Sequence, residues 1–385
     1  MSDRPLVVHV TTVPVTMKLF LTGQMEFLRG QGFDVVGVTG PGPDLAAVRE
    51  RAGVEVFELS MVRGMSPLQD AIAILRLARL LRRLRPAIVH THTPKASLVG
   101  MIAASLARVP VRLYTIHGLI MESGRGKSRR LMAAVERLIC RLATRVYAVS
   151  GSVREIIVGE GICPADKIKL LARGTIDGID GERFSRGAVD PAQVAALRAR
   201  AGLPEKAEVI GFVGRIVRDK GIVELLDAFD ELKASRPRLH LLLVGSFEAE
   251  DPLPPETVAG IRGDERIHLL EWLDDPRAAY RLMDLVALPT YREGFPYVPM
   301  EAAAMELPVV ASRVTGCVDA VVDGVTGLLL PPRDPRALAA ALGSLLDDRT
   351  RAQELGRAGR ERVLRDFAPE AIHQALLAEY RALLK

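Results

Sequence analysis

Short β-branched runs alternate with longer segments of helical period along nearly the whole chain, and this alternation limits the possible folds more than any other feature. The runs in the first half are LVVHVTT, VVGVT, VEVFEL, AIVHTH, VRLYTIH and RVYAVS. Strands separated by helices form parallel sheets, because each right-handed crossover packs a helix back on the sheet. The alternation restarts at Val209 with VIGFVG, LHLLLVG, RIHLLEW, DLVALPT, LPVVAS and TGLLLP. The sequence therefore predicts two Rossmann-like α/β domains, each built on a parallel sheet.

A segment rich in glycine and aspartate, ARGTIDGIDGERFSRGAVD, separates the two halves and is typical of a linker. We place the first domain at residues 1–184 and the second at residues 185–368. Helix starts are expected at Pro335 and Pro369, because proline suits the first position of a helix. We expect residues 369–385 to form a C-terminal helix that packs back on the first domain.

The composition favours a cytoplasmic globular protein. Hydrophobic residues make up 49% and charged residues 26% of the 385 residues, as in ordinary soluble domains. The longest weakly polar run, LVGMIAASLA, has about half of the length needed to cross a bilayer. No signal-peptide pattern is present at the N-terminus. Cys140, Cys163 and Cys317 lack metal-ligand spacing, so we expect reduced thiols in the core.

The charge is divided unevenly between the halves. Residues 1–190 contain 27 Lys and Arg against 17 Asp and Glu, whereas residues 191–385 contain 25 against 30. A basic half could bind nucleic acid, but one tryptophan and 4% aromatic content provide few stacking surfaces, and no nucleic-acid-binding motif is present. No nucleic-acid partner is therefore expected. An anionic membrane surface or a phosphate-bearing acceptor fits better, and a solvated basic face is the alternative.

The segment FVGRIVRDKG joins a predicted strand to a predicted helix start. Gly214 would let backbone N–H groups approach a diphosphate, and the helix N-terminus favours negative charge. Arg215 and Lys220 could neutralise that charge. A strand-to-helix loop with surface cations is the structural alternative.

The segment EGFPYVPME carries two carboxylates, Glu293 and Glu301, with seven residues between them. Gly294, Phe295 and Pro296 should hold Glu293 in a loop, while Glu301 lies on the helix that follows. Carboxylates accept hydrogen bonds from the paired hydroxyls of sugars. The apolar neighbourhood is a poor place for a carboxylate unless it has a partner, so a solvated helix face explains the pair less well.

Together the two motifs resemble the signature of the retaining glycosyltransferases of family four, which have the GT-B fold. In that fold two Rossmann-like domains face a central cleft. The resemblance extends over nearly the whole chain and is strongest from Val209 to Pro331. It implies that Arg215 and Lys220 bind the donor diphosphate, and that the first half binds the acceptor.

The resemblance also implies that Glu301 holds the ribose hydroxyls and that Glu293 holds the transferred sugar. The backbone around Trp272 and Leu273 would meet the nucleotide base. The complete set of implied donor-binding residues is Gly214, Arg215, Lys220, Trp272, Leu273, Glu293, Gly294, Phe295, Pro296 and Glu301.

Two further motifs, IHGL and HTHTPKAS, follow predicted strands of the first half, where this architecture places function. Many members of the family carry a cleft histidine at the position of His117, which we predict to contact the sugar or the acceptor. Lys95 at a helix start and the nearby His92 are predicted acceptor contacts, with a surface lysine as the alternative. His90 and His92 alone do not make a metal site, and no metal is expected.

The loop after the first strand, TTVPVTMKLF, lacks the glycine pair that many family members have. This departure fits the branch that extends lipid-linked glycans. Residues 76–85, RLARLLRRLR, and the segment GRGKSRRLM add two basic clusters. Basic amphipathic surfaces bind anionic lipid at about 1 kcal/mol per basic residue. We therefore expect peripheral association with the inner face of the plasma membrane, although leucine stripes of this kind also fill cores.

The predicted function is retaining transfer of a hexose or N-acetylhexosamine from a nucleotide-diphosphate sugar, with UDP indicated by the family branch. The predicted acceptor is a polyprenyl-diphosphate-linked glycan in surface polysaccharide or glycoconjugate synthesis. No motif places a nucleophilic carboxylate, which favours front-side transfer with Arg215, Lys220, Glu293 and His117 as catalytic residues and with no cofactor. The alternatives are a nucleotide-sugar epimerase, a transferase with a soluble acceptor, and a nucleotide-sugar-binding subunit.

Overall fold

The computed structural model describes residues 4–62, 64, 66–124 and 126–385. The chain forms two compact units. The first unit comprises Met1–Gly178 and Pro369–Lys385, and the second comprises Ile179–Ala368.

Each unit contains one sheet in the described residues, and all paired strands of both sheets run parallel. The strands of the first unit are β1 (Leu6–Val10), β2 (Asp34–Thr39), β3 (Glu55–Glu58), β4 (Ile88–His92), β5 (Val111–Ile116), β6 (Arg145–Ala148) and β7 (Ile168–Leu170). The strands of the second unit are β8 (Glu208–Val213), β9 (Leu239–Val244), β10 (Ile267–Leu270), β11 (Leu285–Leu288), β12 (Val309–Ser312) and β13 (Gly327–Leu330).

Helices connect the strands throughout. They are α1 (Pro14–Phe20), α2 (Thr22–Gly30), α3 (Leu45–Ala52), α4 (Pro67–Leu84), α5 (Pro94–Leu106), α6 (Gly126–Leu142), α7 (Gly151–Gly159), α8 (Pro191–Ala201), α9 (Ile222–Lys233), α10 (Pro255–Gly263), α11 (Arg277–Tyr280), α12 (Tyr297–Ala304), α13 (Cys317–Ala320), α14 (Pro335–Asp347), α15 (Arg349–Asp366) and α16 (Pro369–Leu383). Short 3₁₀ turns lie at Ile120–Ser123, Arg186–Ala188 and Arg218–Lys220. Pro335 and Pro369 are the first residues of α14 and α16, as the sequence predicted.

The strand order is β3-β2-β1-β4-β5-β6-β7 in the first unit and β10-β9-β8-β11-β12-β13 in the second. The prediction of two Rossmann-like parallel-sheet domains is thus confirmed. In each sheet the order reverses once, between β1 and β4 and between β8 and β11. The crossovers on the two sides of such a reversal lead to opposite faces of the sheet, which opens a crevice at the carboxyl ends of the strands.

The segment between the two sheets differs in part from the prediction of a loose linker. Just before this segment, the three-residue strand β7 pairs with β6 through Val146 and Ile168. A run as short as Ile-Lys-Leu gives little alternation to detect. Beyond β7, the buried Thr175 donates its backbone N–H to the carbonyl of Val149 at 2.6 Å, so the chain remains attached to the first sheet for several more residues.

The last helix, α16, belongs to the first unit. Its His373 side chain lies 2.5 Å from the Asp177 carboxylate. The buried hydroxyl of Tyr380 lies 2.7 Å from Nδ1 of His90 on β4. The chain end therefore contributes polar contacts to the centre of the first sheet.

The cores contain the apolar strand residues and the inner faces of the helices. The stripe of α4 is an example, because Leu77 and Leu81 are fully buried. All three cysteines are buried and free, as predicted.

Glu136 on α6 is a carboxyl group inside the first core. It accepts a hydrogen bond of 2.7 Å from the hydroxyl of Tyr114 on β5. Burial raises the pKa of Glu136 from 4.5 to about 7, although the Tyr114 hydrogen bond acts in the opposite direction. The folded protein therefore binds the Glu136 proton more tightly than the unfolded chain does.

We predict that Glu136→Gln removes a pH dependence of stability. A raised folded-state pKa stabilises the fold fully below pH 4.5, and this contribution is lost as the pH rises through about 7. A shift of this size corresponds to about 3 kcal/mol. Urea unfolding followed by circular dichroism should show Glu136→Gln gaining stability over the wild type above pH 7 but not below pH 4.5.

The matched control is Glu155→Gln, which makes the same change at an exposed position on α7. This variant should not reproduce the gain of Glu136→Gln above pH 7, because its side chain is outside the core. Equal pH profiles for Glu136→Gln and the wild type would contradict the assignment of a protonated carboxyl in this core.

Candidate active site

Two glycines bring the ends of β8 and β9 together. Gly214 follows β8 with φ 143°, and Gly245 follows β9 with φ 152°. A Cβ atom on Gly245 would lie 1.8 Å from the carbonyl oxygen of Gly214, so only glycine fits there. The backbone after β8 therefore packs directly against the backbone after β9.

The loop after β8 continues through the turn Arg218–Lys220 to Gly221, the residue before α9. Gly221 has φ 70°, and a Cβ atom there would lie 2.0 Å from the carbonyl oxygen of Pro289. Pro289 is the first residue after β11. The loops on the two sides of the strand-order reversal are thus in direct backbone contact.

Polar contacts join the same two loops. The carbonyl of Asp219 accepts from the backbone N–H of Tyr291 at 2.8 Å and from the hydroxyl of Thr290 at 3.2 Å. The Asp219 carboxylate binds the guanidinium of Arg292 at 3.0 Å. These contacts fix the position from which Glu293 extends.

Lys220 and Glu293 form an ion pair at this junction. Lys220 Nζ lies 2.5 Å from Glu293 Oε1, and each side chain is only 15% exposed. Charges in such a partly buried place interact more strongly than on the surface, and removing either partner leaves the other uncompensated. Two residues that the sequence predicted for donor contact are therefore in contact with each other.

Arg215, the other predicted diphosphate ligand, lies earlier in the loop after β8. Its guanidinium donates to the Glu248 carboxylate at 3.1 Å. Both side chains are more than one-third exposed, so this pair adds little to stability. A ligand phosphate could replace Glu248 at small cost.

The helix α12 carries the second predicted carboxylate. Glu301 accepts a hydrogen bond of 2.7 Å from the hydroxyl of Tyr280, a fully buried residue on α11. Burial raises the pKa of Glu301, and the Tyr280 hydrogen bond partly offsets this effect. The partner that the apolar neighbourhood required is Tyr280.

The turn that leads into α12 is held by close packing. Pro296 is the residue before the first helical position, Tyr297. Phe295 is buried against the ring of Phe367 at 5.3 Å. A Cβ atom on Gly316 would lie 2.4 Å from the carbonyl oxygen of Gly294, so this second loop also approaches at backbone distance.

The loop after β10 carries the residues predicted to meet the base. Trp272 is 48% exposed, while Leu273 is half-buried. An exposed indole at the carboxyl edge of a sheet provides an apolar surface of the kind that a planar base can contact.

In the first unit, four histidines cluster at the corresponding reversal. His9 on β1 lies opposite His90 on β4 in the strand register. His92 ends β4, and His117 follows β5. His9 Nδ1 lies 3.1 Å from His92 Nε2, and His92 Nδ1 lies 3.1 Å from His117 Nε2.

No sequence motif marked His9, although the adjacency of strands β1 and β4 in a Rossmann-like sheet could have indicated it. One nitrogen each of His9, His90 and His92 lies within 4.8 Å of the others, close enough to hold a metal ion. His90, however, is engaged at both nitrogens, by the Tyr380 hydroxyl and the Thr115 hydroxyl at 2.7 Å each. The arrangement fits a hydrogen-bonded network more closely than a set of converging lone pairs.

Lys95 lies in the first turn of α5, as predicted. Its ammonium binds both carboxylate oxygens of Asp70 on α4, at 2.8 Å and 2.6 Å. Lys95 and Asp70 are both largely buried. A phosphate at Lys95 would have to share the ammonium with Asp70.

Comparison with known proteins gives matches over both halves. Residues 16–174 match the family described as "Glycosyl transferase 4-like domain", and residues 207–348 match the family described as "Glycosyl transferases group 1". A capsular polysaccharide biosynthesis glycosyltransferase, CapM of Staphylococcus aureus, is 33% identical over 377 residues, which are 98% of this chain and 97% of that protein.

A more distant relative comes from Escherichia coli. It is named UDP-Gal:alpha-D-GlcNAc-diphosphoundecaprenol alpha-1,3-galactosyltransferase and is 27% identical over 353 residues, covering 89% of this chain and 88% of the relative. Among solved structures, Anabaena HepE in complex with UDP and glucose superposes with a TM-score of 0.81 at 20% identity, covering 98% of this chain and 99% of HepE. The fold is therefore of the GT-B type.

We predict energetic coupling between Lys220 and Glu293. The single variants Lys220→Met and Glu293→Gln should each destabilise the second unit, because each leaves one partly buried group without its partner. In a double-mutant cycle the coupling should be about 0.5–3 kcal/mol. Urea unfolding of the four proteins without ligand measures it. Strict additivity would show that the pair does not form in solution.

Proposed function

Since this chain is a glycosyltransferase that belongs to family four, we propose that it is a retaining enzyme that transfers a hexose or N-acetylhexosamine from a UDP-sugar to a polyprenyl-diphosphate-linked glycan. The product would be part of a surface polysaccharide or glycoconjugate. The observation that carries the donor half of this proposal is the junction of the loops after β8 and β11, where Lys220 and Glu293 meet.

The relatives support the choice of donor and acceptor. The name of the Escherichia coli relative specifies a UDP-sugar donor and a diphosphoundecaprenol-linked acceptor, and HepE was solved with UDP and glucose. The name of the Staphylococcus aureus relative specifies capsular polysaccharide synthesis. The basic charge of residues 1–190 suits an acceptor that carries a diphosphate.

We assign the donor contacts as follows. Arg215 and Lys220 would bind the diphosphate, and the backbone at Gly214 would allow its close approach. Glu293 would bind the sugar hydroxyls. Glu301, held by Tyr280, would bind the ribose, with Trp272 and Leu273 beside the base. The turn at Gly294, Phe295 and Pro296 would place the N-terminus of α12 near the donor.

The two ion pairs suit this role. Lys220 pairs with Glu293, and Arg215 pairs with Glu248. A diphosphate would take over both cations, which would release Glu293 to accept from sugar hydroxyls. The same binding event would thus supply the charge that the leaving group needs and a free carboxylate for the sugar.

Transfer would follow the front-side course. As the bond to the sugar breaks, negative charge grows on the diphosphate, and Arg215 and Lys220 would stabilise it. A donor phosphate oxygen would take the proton of the acceptor hydroxyl. With both cations on the diphosphate, transfer would need no metal ion. The nucleotide-sugar is a substrate, and no cofactor is proposed. His117 would contact the sugar or the acceptor, and Lys95 remains proposed as an acceptor contact. His92 is buried and engaged at both ring nitrogens, so it would serve the acceptor side through its contact with His117.

The exposed face of α4 supports a membrane-bound acceptor. Leu68 is 75% and Leu75 is 52% exposed, and Ile72 between them is also exposed. The exposed arginines Arg79 and Arg82 extend the same face toward the end of the helix. No helix in the described part of the chain is long and apolar enough to cross a bilayer. On the basis of the exposed leucines and arginines of α4, we propose peripheral binding to the cytoplasmic membrane surface.

The second basic cluster lies on α6. Its Lys127 and Arg130 are exposed, together with Leu131. Arg125, which belongs to the same sequence cluster, lies outside the described residues.

We predict that the purified protein releases UDP from one UDP-sugar only when a short-chain polyprenyl-diphosphate sugar is present. Lys220→Ala should lower kcat/KM about 100- to 1,000-fold, because it removes a cation from the leaving group. The matched control is Lys233→Ala, which removes an ion-paired lysine at the far end of α9 and should leave kcat/KM close to that of the wild type.

Other outcomes of this screen separate the alternatives. Release that depends on a soluble sugar would keep the transferase and reject the lipid-linked acceptor. Isomerised donor without release would indicate the epimerase. Equal activity of Lys220→Ala and Lys233→Ala would reject the assigned diphosphate site.

We predict that the protein binds vesicles containing anionic lipid and that the triple change Leu68→Ser, Ile72→Ser and Leu75→Ser weakens binding by at least about tenfold. Loss of inserted apolar side chains removes about 1.5–3 kcal/mol for each one that is fully buried. Sedimentation with vesicles measures the effect. The control is Leu364→Ser, an exposed leucine on α15. Equal binding by both variants would show that α4 does not form the membrane-binding surface.

A further inference from the structure

Three histidines of the first unit, His9, His92 and His117, form a chain of hydrogen bonds. His9 contacts His92, and His92 contacts His117, through ring nitrogens 3.1 Å apart in each case. His9 and His92 are almost fully buried, whereas His117 is partly exposed. The chain therefore runs from the centre of the sheet to the surface at the carboxyl ends of its strands.

Each end of this chain has one further nitrogen. His9 Nε2 is buried and has no hydrogen-bond partner among the described residues. At the other end, His117 makes one ring hydrogen bond among the described residues, the contact with His92. The Nδ1 atom of His117 is thus the free end of the network.

A neutral imidazole carries one N–H, so the chain has two possible directions. In the outward direction, His9 Nδ1–H donates to His92 Nε2, and His92 Nδ1–H donates to His117 Nε2. His117 then carries its own proton on Nδ1. In the inward direction every donor is reversed, and His9 Nε2 must carry a proton.

The buried end decides between the two directions. In the inward direction, His9 would bury an N–H without an acceptor, and buried orphan N–H groups are rare in proteins. In the outward direction the same atom is only an unused lone pair. The outward direction is therefore favoured, because it leaves an unused acceptor in the core and not an unpaired N–H donor.

We propose that His9 and His92 are positioning residues that hold His117 as the neutral Nδ1–H tautomer, a hydrogen-bond donor to a hydroxyl oxygen of the sugar or the acceptor. The role of His117 toward these ligands rests on the proposed function. The tautomer itself does not, because it follows from contacts within the first unit.

The neutral state has a physical cause. Burial lowers the pKa of His117 to about 4 and that of His9 to about 3. Burial also lowers the pKa of His92, with further lowering from His90 and His117. An Nδ1–H donor on a neutral ring is unable to take a proton at that atom. His117 is then a fixed donor and not a base, which agrees with proton transfer to a donor phosphate.

The neighbouring His90 provides a matched control. It is as buried as His92, and its nitrogens bond to the hydroxyls of Tyr380 and Thr115. It makes no hydrogen bond to His9, His92 or His117 in the described structure. A change at His90 disturbs the same core without interrupting the chain.

The first test is the tautomer itself. The 385-residue protein contains seven histidines, so labelling them with ¹⁵N gives a small set of signals. Long-range proton–nitrogen correlation at neutral pH should show a protonated Nδ1 and an unprotonated Nε2 for His9, His92 and His117. A protonated Nε2 on His117, or a charged ring, would overturn the proposal.

Variants then test the cause. His92→Leu removes the donor to His117 Nε2, so the His117 signals should change and kcat/KM should fall by about tenfold, the cost of one misdirected hydrogen bond. Binding of UDP alone should not change. His92→Asn keeps an amide N–H near the position of Nδ1 and should restore most of both properties. His90→Asn should leave the His117 tautomer unchanged.

Other results of these experiments would contradict the proposal. If His92→Leu leaves the His117 spectrum unchanged, His92 does not set the tautomer. If the wild-type protein binds Co²⁺ or Zn²⁺ stoichiometrically through these rings, the cluster is a metal site and the proposal fails. The expected spectra from a protein without transferase activity would sustain the tautomer and reject the function, so the two failures are distinguishable.

Discussion

In both units the strand order reverses once, and a cluster of candidate functional residues lies in the two strands beside that reversal or in the loops that follow them. The constraint is topological, because parallel strands with right-handed crossovers bring all their carboxyl ends to one edge. In the second unit the reversal brings Gly221 against the carbonyl of Pro289 and Lys220 against Glu293. In the first unit it places His9 beside His90. Each cluster depends on which strands are neighbours, and much less on distance along the chain.

The two loops that meet at each reversal are held together by different contacts in the two units. In the first unit the loops meet through neutral groups, since the hydroxyls of Thr12 and Thr93 lie 2.8 Å apart. Thr93 has φ 63°, a conformation that costs a β-branched residue about 1–3 kcal/mol and persists only where surrounding contacts hold it. In the second unit the loops meet through the charged groups of Lys220 and Glu293. A neutral junction suits recognition of hydroxyls, whereas a charged one can exchange its carboxylate for a ligand phosphate.

The sequence predicted what depends on local pattern. The alternation of strands and helices, the helix starts at Pro335 and Pro369, and the burial of the cysteines were all confirmed. The need of Glu301 for a partner could also be inferred from its neighbours. The identity of that partner could not, since Tyr280 comes from a separate helix, α11, and nothing in its own segment marks it.

What the sequence did not predict depends on long-range pairing. Lys220 and Glu293 were identified separately as ligand contacts, but their ion pair arises from the adjacency of β8 and β11. The basic cluster of α4 is a second example of what the sequence pattern alone does not predict. Its leucines Leu77 and Leu81 are in the core, while the exposed apolar residues Leu68 and Leu75 both lie before Arg76, where the segment that the pattern selected begins. A hydrophobic period identifies the inward face of a helix, and only the fold shows which apolar side chains remain on the outward face.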